Sequence, residues 1–288
     1  MKLKFSRNSA EIFVPDGRPL NAALRRVTHL GVGAHQDDLE FMAFHGIQAG
    51  FATPGKAFGG VTCTQGGGSA RKGPYQGFSD KAMQSIRRKE QNQAASVGRY
   101  AFMVQLDHPS KTVKDPRNTH LQEDLAMILE ATRPQVVYTH NLADKHDTHI
   151  AVAVAALQAL GTLPPRHRPA QVIGCEVWRS LDWMMDSDKV IMNVSGQDHL
   201  AAALNGLFDS QIGSGKRYDT ATMGRRAANA TFLESHSTDS ASQVILGMDL
   251  TPLVRDTTLD MVDFVTVALD RFREDVRARL RRQLGRPG

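Results

Sequence analysis

Short apolar runs alternate with longer amphipathic stretches along the first two thirds of the chain. The apolar runs are HLGVGAH, AFGGVTCT, AFMVQL, QVVYTH, QVIGCEVW and KVIMNVS, and their length and residue types predict buried strands. Amphipathic patterns with a helical period separate the first five of these runs. This alternation predicts βαβ units, and therefore an α/β fold with a Rossmann-like, mostly parallel sheet flanked by helices.

The pattern changes at about residue 196, after which it is mostly helical. Because no long flexible linker separates the two parts, we predict a single α/β domain over residues 1–288. Its core should span about residues 25–195, and a helical C-terminal extension over about residues 196–288 should pack against that core.

The composition excludes several classes of protein. Hydrophobic residues make up 41% of the chain and charged residues 23%, as in ordinary globular proteins and unlike disordered or fibrous ones. Neither an apolar stretch of about 20 residues nor the apolar core of a signal peptide is visible, so we expect a cytoplasmic protein without a membrane span. The two cysteines, Cys63 and Cys175, lie in strand-like runs, which argues against a disulfide framework.

The net charge of +5 resides in the last 18 residues, RFREDVRARLRRQLGRPG, where seven arginines outnumber Glu274 and Asp275. A basic helical tail either binds an acidic partner or is a solvated face with paired charges, and we favour the second interpretation. We therefore expect no nucleic-acid partner. If the chain forms a homo-oligomer, the C-terminal helices are the expected contact surface.

Two polar clusters follow strands of the predicted sheet, AHQDD after the first strand and THNLADKHDTH after the fourth. Ligands of open parallel sheets bind beyond the carboxyl ends of the strands, so both clusters should face one cleft. His35, one of Asp37 and Asp38, and one of His146 and His149 would then provide three ligands of a catalytic zinc, with one position left open. The other aspartate would be free to accept a proton.

The aspartates also have a purely structural interpretation. Asp37 followed by Glu40 is the pattern of a capping box at the beginning of a helix, although it leaves His35 without a role. Residue spacing alone leaves both interpretations open.

The segments AHQDDLE, VTCTQGG, IRRKEQNQAASVG and HDTHIAVAVAAL resemble, in that order, the PIG-L/LmbE-like family of zinc-dependent N-deacetylases. The resemblance covers about residues 25–180. It implies a Rossmann-like fold that hydrolyses an acetamide and releases acetate and a free amine. It also implies that His35, Asp38 and His149 bind Zn²⁺, that Asp37 is the general base and that His146 stabilises the oxyanion. Iron, cobalt or manganese could occupy the same ligand set.

Further residues are expected to contact the substrate or support the ligands. Arg87 forms an R-x-x-E pattern with Glu90 and aligns with a family arginine that contacts substrate. Gln36 stands where the family usually has proline, and it could add an amide to the pocket. The remaining candidates follow the third and fourth strands, and they are Asp107, His108, His140 and Asp144.

The predicted substrate is a small N-acetylated amino sugar of the N-acetylglucosamine type, or a conjugate of one. An amidase acting on a non-sugar amide or a thiol conjugate is an alternative. A non-catalytic α/β binding module is another, although such a module would have no need of Asp37 beside a full ligand set. A metallophosphoesterase would generally use more carboxylates and often two metals.

Overall fold

The centre of the molecule is an eight-stranded sheet, seen in a computed structural model that describes residues 3–286. The strands are β1 (Glu11–Phe13), β2 (His29–Gly33), β3 (Phe58–Thr64), β4 (Phe102–His108), β5 (Val136–His140), β6 (Gln171–Cys175), β7 (Lys189–Asn193) and β8 (Val244–Asp249).

The strand order is β1-β4-β3-β2-β5-β6-β8-β7. The five central strands, β4, β3, β2, β5 and β6, run parallel to one another. Strand β1 pairs antiparallel with β4, and β8 pairs antiparallel with both β6 and β7. The prediction of a mostly parallel α/β sheet is thus confirmed. Because the chain runs from β2 towards β4 on one side and from β5 towards β6 on the other, the strand order reverses between β2 and β5.

Helices cover both faces of this sheet. They are α1 (Leu20–Arg25), α2 (Asp38–Met42), α3 (Phe44–Ala52), α4 (Asp80–Val97), α5 (Ser110–Val113), α6 (His120–Thr132), α7 (Asp147–Thr162), α8 (Asp198–Gly206), α9 (Asp209–Ile212), α10 (Tyr218–Thr231), α11 (Thr251–Arg255) and α12 (Met261–Gln283).

The buried apolar side chains form two clusters that alternate along the strands. In β4, Phe102 and Val104 belong to one cluster and Met103 to the other, and in β5 Val137 and Tyr138 divide in the same way. Successive side chains of a strand point to opposite faces, so each cluster fills one side of the sheet. This double burial explains why the strands appear as continuous apolar runs rather than as alternating ones.

The C-terminal part departs from the sequence prediction in one respect. The pattern after residue 196 predicts mostly helix, but β8 inserts into the sheet between β6 and β7. Five of its six residues are buried, so its side chains are apolar on both faces and show no strand period. Over residues 3–286, no helix is both long and apolar enough to cross a lipid bilayer.

Candidate metal centre and its cleft

The candidate site lies where the strand order reverses. The loop after β2 carries His35, Asp37 and Asp38, and the segment after β5 carries His146 and His149 at the beginning of α7. Because β2 and β5 are neighbouring parallel strands, their carboxyl ends bring these two segments together. The two clusters predicted from the sequence therefore meet in one cleft.

Three side chains with metal-binding atoms converge at the base of this cleft. The Nδ1 atom of His35 lies 3.2 Å from Nε2 of His149 and 3.3 Å from Oδ2 of Asp38, and Nε2 of His149 lies 3.5 Å from Oδ1 of Asp38. Ligands bonded to tetrahedral zinc at about 2.0–2.2 Å are about 3.3–3.6 Å apart. The spacing and the chemistry of this donor set fit a divalent transition metal.

Asp144 orients one member of the set. Its Oδ2 atom accepts a hydrogen bond from Nδ1 of His149 at 3.1 Å, and both side chains are fully buried. That bond places the proton on Nδ1 and leaves the lone pair of Nε2 directed at the other donors. Burial lowers the pKa of His149, but the carboxylates of Asp38 and Asp144 outweigh burial and raise the pKa above its ordinary value.

Asp38 is ionised in this environment. Burial opposes ionisation, but His149 and His140 hold the pKa of the Asp38 carboxyl well below its usual range. The backbone N–H of His35 also donates to Oδ2 of Asp38 at 2.7 Å. A charged, oriented carboxylate is what a metal ligand requires.

His140 lies behind the donor set and not in the wall of the cleft. Its ring stacks on His149 with centroids 3.8 Å apart, and its Nε2 atom accepts from the N–H of Ala34 at 2.9 Å. Burial lowers the pKa of His140 to about 4, so the ring is neutral. The sequence prediction that His140 supports a ligand remains compatible with this position.

Asp37 has an unusual backbone. Its φ angle is +101°, and although it precedes α2, its side chain makes no capping hydrogen bond, so the capping-box interpretation is wrong. Its N–H instead donates to Oε1 of Gln91 at 3.1 Å, and its Oδ2 atom lies 3.3 Å from a guanidinium nitrogen of Arg87. Burial raises the pKa of Asp37 well above its usual value, and Arg87 offsets only part of that effect. A carboxyl group with a raised pKa is suited to accept and return a proton near neutral pH.

Arg87 is buried on α4 and not exposed on a helix surface. It donates to the carbonyl oxygens of Gly66 at 3.0 Å and Gln36 at 2.6 Å, which ties the loops after β3 and β2 together. Arg87 also lines the cleft, so a contact with substrate remains a prediction. Glu90, its partner in the R-x-x-E pattern, accepts from the N–H and hydroxyl of Ser210 and so holds α9 against α4.

His146 borders the donor set from the open side. Its ring centroid lies 5.1 Å from that of His35 and 4.5 Å from that of His149. Burial lowers the pKa of His146, so the imidazole is neutral at pH 7 and can donate only from the nitrogen that carries its proton.

Three predicted substrate contacts lie away from the cleft. The amide of Gln36 turns towards the end of β3, where it donates to the carbonyl of Thr64 at 3.2 Å. Asp107 accepts from Arg88 at 2.7 Å, and His108 pairs with a buried aspartate at 3.0 Å. Each of these side chains pairs with other residues between β4 and its neighbours and none of them lines the cleft, so their contact with a substrate stays a prediction.

The cleft has a volume of about 490 Å³ and an aromatic wall that sequence reasoning did not assemble. Trp178 stacks near His146, with ring centroids 6.2 Å apart, and it meets Tyr218 edge-on at 6.1 Å. Phe41 packs against Tyr218 at 5.4 Å, and the amine of Lys216 lies 5.1 Å from the Trp178 ring centroid. No sequence motif links these residues, because they come from separate helices and loops that only the packing of α10 brings together.

Comparisons with known proteins agree with this geometry. The family model described as GlcNAc-PI de-N-acetylase, PIG-L, matches residues 30–160, which include both ligand segments. The resemblance to the PIG-L/LmbE-like family is thereby confirmed. No curated protein sequence gives a significant match.

Several solved structures share the fold. The N,N'-diacetylchitobiose deacetylase of Pyrococcus horikoshii has a TM-score of 0.63 at 14% identity, with 79% of this chain and 85% of that chain covered. A conserved protein of Thermus thermophilus has a TM-score of 0.59 at 19% identity, with 78% and 94% covered. The 4-carboxy-2-hydroxymuconate hydratase GalB of Pseudomonas putida has a TM-score of 0.56 at 17% identity, with 78% and 96% covered.

Proposed function

We propose that this chain, which is similar to the PIG-L/LmbE-like family, is a metal-dependent hydrolase that removes the acetyl group from an N-acetylated amino sugar or a sugar conjugate. One observation carries the proposal. His35, Asp38 and His149 converge at the spacing of metal ligands beside a buried carboxyl group, within the segment that the family model matches. The Pyrococcus horikoshii structure, that of a diacetylchitobiose deacetylase, supports a substrate of the N-acetylglucosamine type.

His35, Asp38 and His149 would hold the metal. When bound, a divalent ion supplies Lewis-acid polarisation of the acetyl carbonyl and makes water at the site more acidic. Two imidazoles and one carboxylate suit zinc best, and other divalent transition metals could take the same place.

Asp37 and His146 would carry out the proton transfer and the charge stabilisation. Asp37 accepts the proton of the attacking water and then returns it to the amine as the C–N bond breaks. Arg87 holds that carboxylate in position through the 3.3 Å contact. His146, neutral and on the open side, donates a hydrogen bond to the oxygen on which negative charge develops.

The aromatic wall would hold the sugar. The face of Trp178 is next to His146 and the ring of Tyr218 closes the same side, so a sugar ring stacked there would have its acetamide near the donor set. Trp178 and Tyr218 are thus the proposed substrate platform.

A second candidate is a hydratase that acts on an unsaturated carboxylic acid. Three cations, Lys216, Arg225 and Arg226, line the cleft without an ion pair to any described residue, and they would suit a carboxylate substrate. The similar structure of a 4-carboxy-2-hydroxymuconate hydratase supports the same alternative. The two functions differ in their products, because only the deacetylase releases acetate.

The deciding experiment measures acetate and free amine released from a panel of N-acetylglucosaminides, together with metal content. We expect the zinc-loaded wild type to release both in equal amounts. Asp37→Asn should lose about 10²–10⁴-fold in kcat while it retains the metal. Asp147→Asn, an exposed acid in the first turn of α7, is the matched control and should keep full activity. Absence of bound metal in wild type, or hydration of an unsaturated acid without acetate release from any acetamide, would refute the proposal.

A further inference from the structure

Three cations line the cleft on the side of its aromatic wall. Lys216 precedes helix α10, and Arg225 and Arg226 lie on that helix, in a part of the chain that the family model does not reach. The amine of Lys216 lies 5.1 Å from the ring centroid of Trp178, and Arg225 donates to the carbonyl oxygen of Val177, the preceding residue. Lys216 and Arg225 therefore border the part of the cleft where Trp178 stands.

Arg226 is a buried cation with unused hydrogen-bond donors. It is 2% exposed, its Nη2 atom donates to the carbonyl oxygens of Glu40 at 2.6 Å and Phe41 at 3.2 Å, and the ring of Phe44 lies 4.6 Å from its guanidinium carbon. Its Nε and Nη1 atoms have no hydrogen-bond partner within residues 3–286, although both are buried. Burial lowers the pKa of Arg226 to about 9, so the side chain is still charged at neutral pH. A buried charge with unpaired donors is costly unless a group of opposite charge binds to it.

The carboxyl groups of the cleft do not pair with these cations. The acids that line the cleft are Asp37, Asp38 and Glu176. Asp37 contacts Arg87, and Asp38 faces the histidines of the donor set. Glu176 helps to keep Arg226 charged from a distance, but its oxygens accept from Asn229 and from two backbone N–H groups. The wall formed by α10 therefore carries positive charge that a bound anion would balance.

We propose that Lys216, Arg225 and Arg226 form a subsite for an anionic substituent of the sugar, a carboxylate or a phosphate group. The inference rests on the proposed deacetylation and narrows its substrate to acidic N-acetylated sugars. Arginine presents pairs of N–H groups that match the oxygens of a carboxylate or phosphate, and lysine adds a point charge. Because the Lys216 amine is close to the Trp178 ring, it reaches a substituent of a sugar that is held there. A cleft of about 490 Å³ accommodates such a substituted monosaccharide.

The preference for acidic over neutral sugars tests this subsite. The kcat/KM for acetate release by zinc-loaded protein should be measured on N-acetylglucosamine, its 1-phosphate, its 6-phosphate and N-acetylmuramic acid, which carries a carboxylate. We expect wild type to favour at least one acidic sugar over the neutral one by about tenfold or more, and the favoured sugar identifies the anion. Lys216→Gln and Arg225→Gln should each reduce this preference by about tenfold, because each removes a charged hydrogen bond to the substituent. A folding defect would lower the rates on all four sugars alike and leave the preference unchanged. Arg226 is not replaced, because it also holds carbonyl oxygens at the end of α2.

Arg217→Gln is the matched control. Arg217 adjoins Lys216 in sequence, but its side chain is 67% exposed and forms an ion pair with Asp219 at 3.0 Å, so the variant should keep the wild-type preference. Equal kcat/KM on neutral and acidic sugars in wild type would overturn the subsite and leave the proposed deacetylation intact. A preference that persists in Lys216→Gln and Arg225→Gln, or that Arg217→Gln also loses, would overturn the subsite as well.

Calorimetric titration of the same four sugars provides a readout that does not depend on turnover. Tighter binding of an acidic sugar to wild type, lost in Lys216→Gln and Arg225→Gln, would support the subsite even if no sugar released acetate, a result that refutes the deacetylation alone. Equal binding of the neutral and acidic sugars would overturn the subsite.

Discussion

Replacement of Asp144 by asparagine should weaken metal binding although Asp144 is not itself a proposed ligand. The change keeps the size of the side chain and removes its charge. In wild type the carboxylate accepts from His149 at 3.1 Å and from the backbone N–H of Lys145 at 2.6 Å, and the His149 contact is fully buried. Such carboxylate–histidine–metal contacts typically contribute 10- to 100-fold to metal affinity, or about 1.4–2.7 kcal/mol.

The loss of metal affinity in Asp144→Asn should depend on pH in a defined direction. Asp144 helps to raise the pKa of His149 above its ordinary value, so a proton competes with the metal for His149 more strongly in wild type than in the variant. The affinity deficit of Asp144→Asn should therefore be largest above the wild-type pKa of His149 and should narrow as the pH falls below it.

Competition against a chromophoric zinc chelator measures both effects directly. Titrations of wild type, Asp144→Asn and the exposed control Asp147→Asn should be compared at several pH values. Equal zinc affinity in wild type and Asp144→Asn would refute the assigned role of the carboxylate. A loss of the same size in Asp147→Asn would show that general electrostatics, and not the bond to His149, causes the effect.

Three further predictions concern positioning, packing and pH. Gln91→Leu removes the acceptor of the Asp37 N–H and should lower kcat on the order of tenfold, while the metal content stays unchanged. An unchanged kcat would contradict the role of Gln91 in positioning Asp37. Gly46→Ala would place a Cβ 2.5 Å from a buried tyrosine ring and should lower the free energy of unfolding in urea by about 1–3 kcal/mol. Gly224→Ala, at an exposed position of α10 with open space around it, should raise the free energy of unfolding by about 0.5–1 kcal/mol. Burial lowers the pKa of His29 to about 4, whereas the unfolded chain binds this proton with a pKa of about 6.5. Above pH 6.5 His29 therefore does not reduce the free energy of unfolding, and as the pH falls towards 4 that free energy decreases. His29→Leu should flatten the stability profile between these pH values by roughly 1–3 kcal/mol, and an unchanged profile would contradict the assignment.

The sequence allowed the central sheet to be predicted because its strands are apolar on both faces and separated by amphipathic helices. Strand β8 was missed because a short run that is buried on both faces shows neither a strand period nor a helical period. Strand β1 has only three half-buried residues and offers still less pattern.

The convergence of the two histidine–aspartate clusters was predictable because they follow neighbouring strands, which places them together whatever the details of packing. The choice of His35, Asp38 and His149 among them came from the family resemblance. The substrate contacts were not predictable in this way. Whether Gln36 points into the cleft or towards β3 depends on its rotamer, and the residue type carries no information about that choice. The meeting of Trp178 with Tyr218 depends on how α10 packs against the sheet, a contact between segments far apart in sequence.

The backbone of Asp37 has a consequence for engineering. A non-glycine residue with φ of +101° typically costs about 1–3 kcal/mol, and here the surrounding structure, including Gln91 and Arg87, maintains it. A screen that rewards heat resistance alone would favour Asp37→Gly, because glycine relieves this strain and Arg87 keeps two carbonyl partners. The same change deletes the proposed proton acceptor. Directed evolution of this protein therefore needs turnover and thermal tolerance scored on the same clones, since selection for tolerance alone would enrich inactive variants at this position.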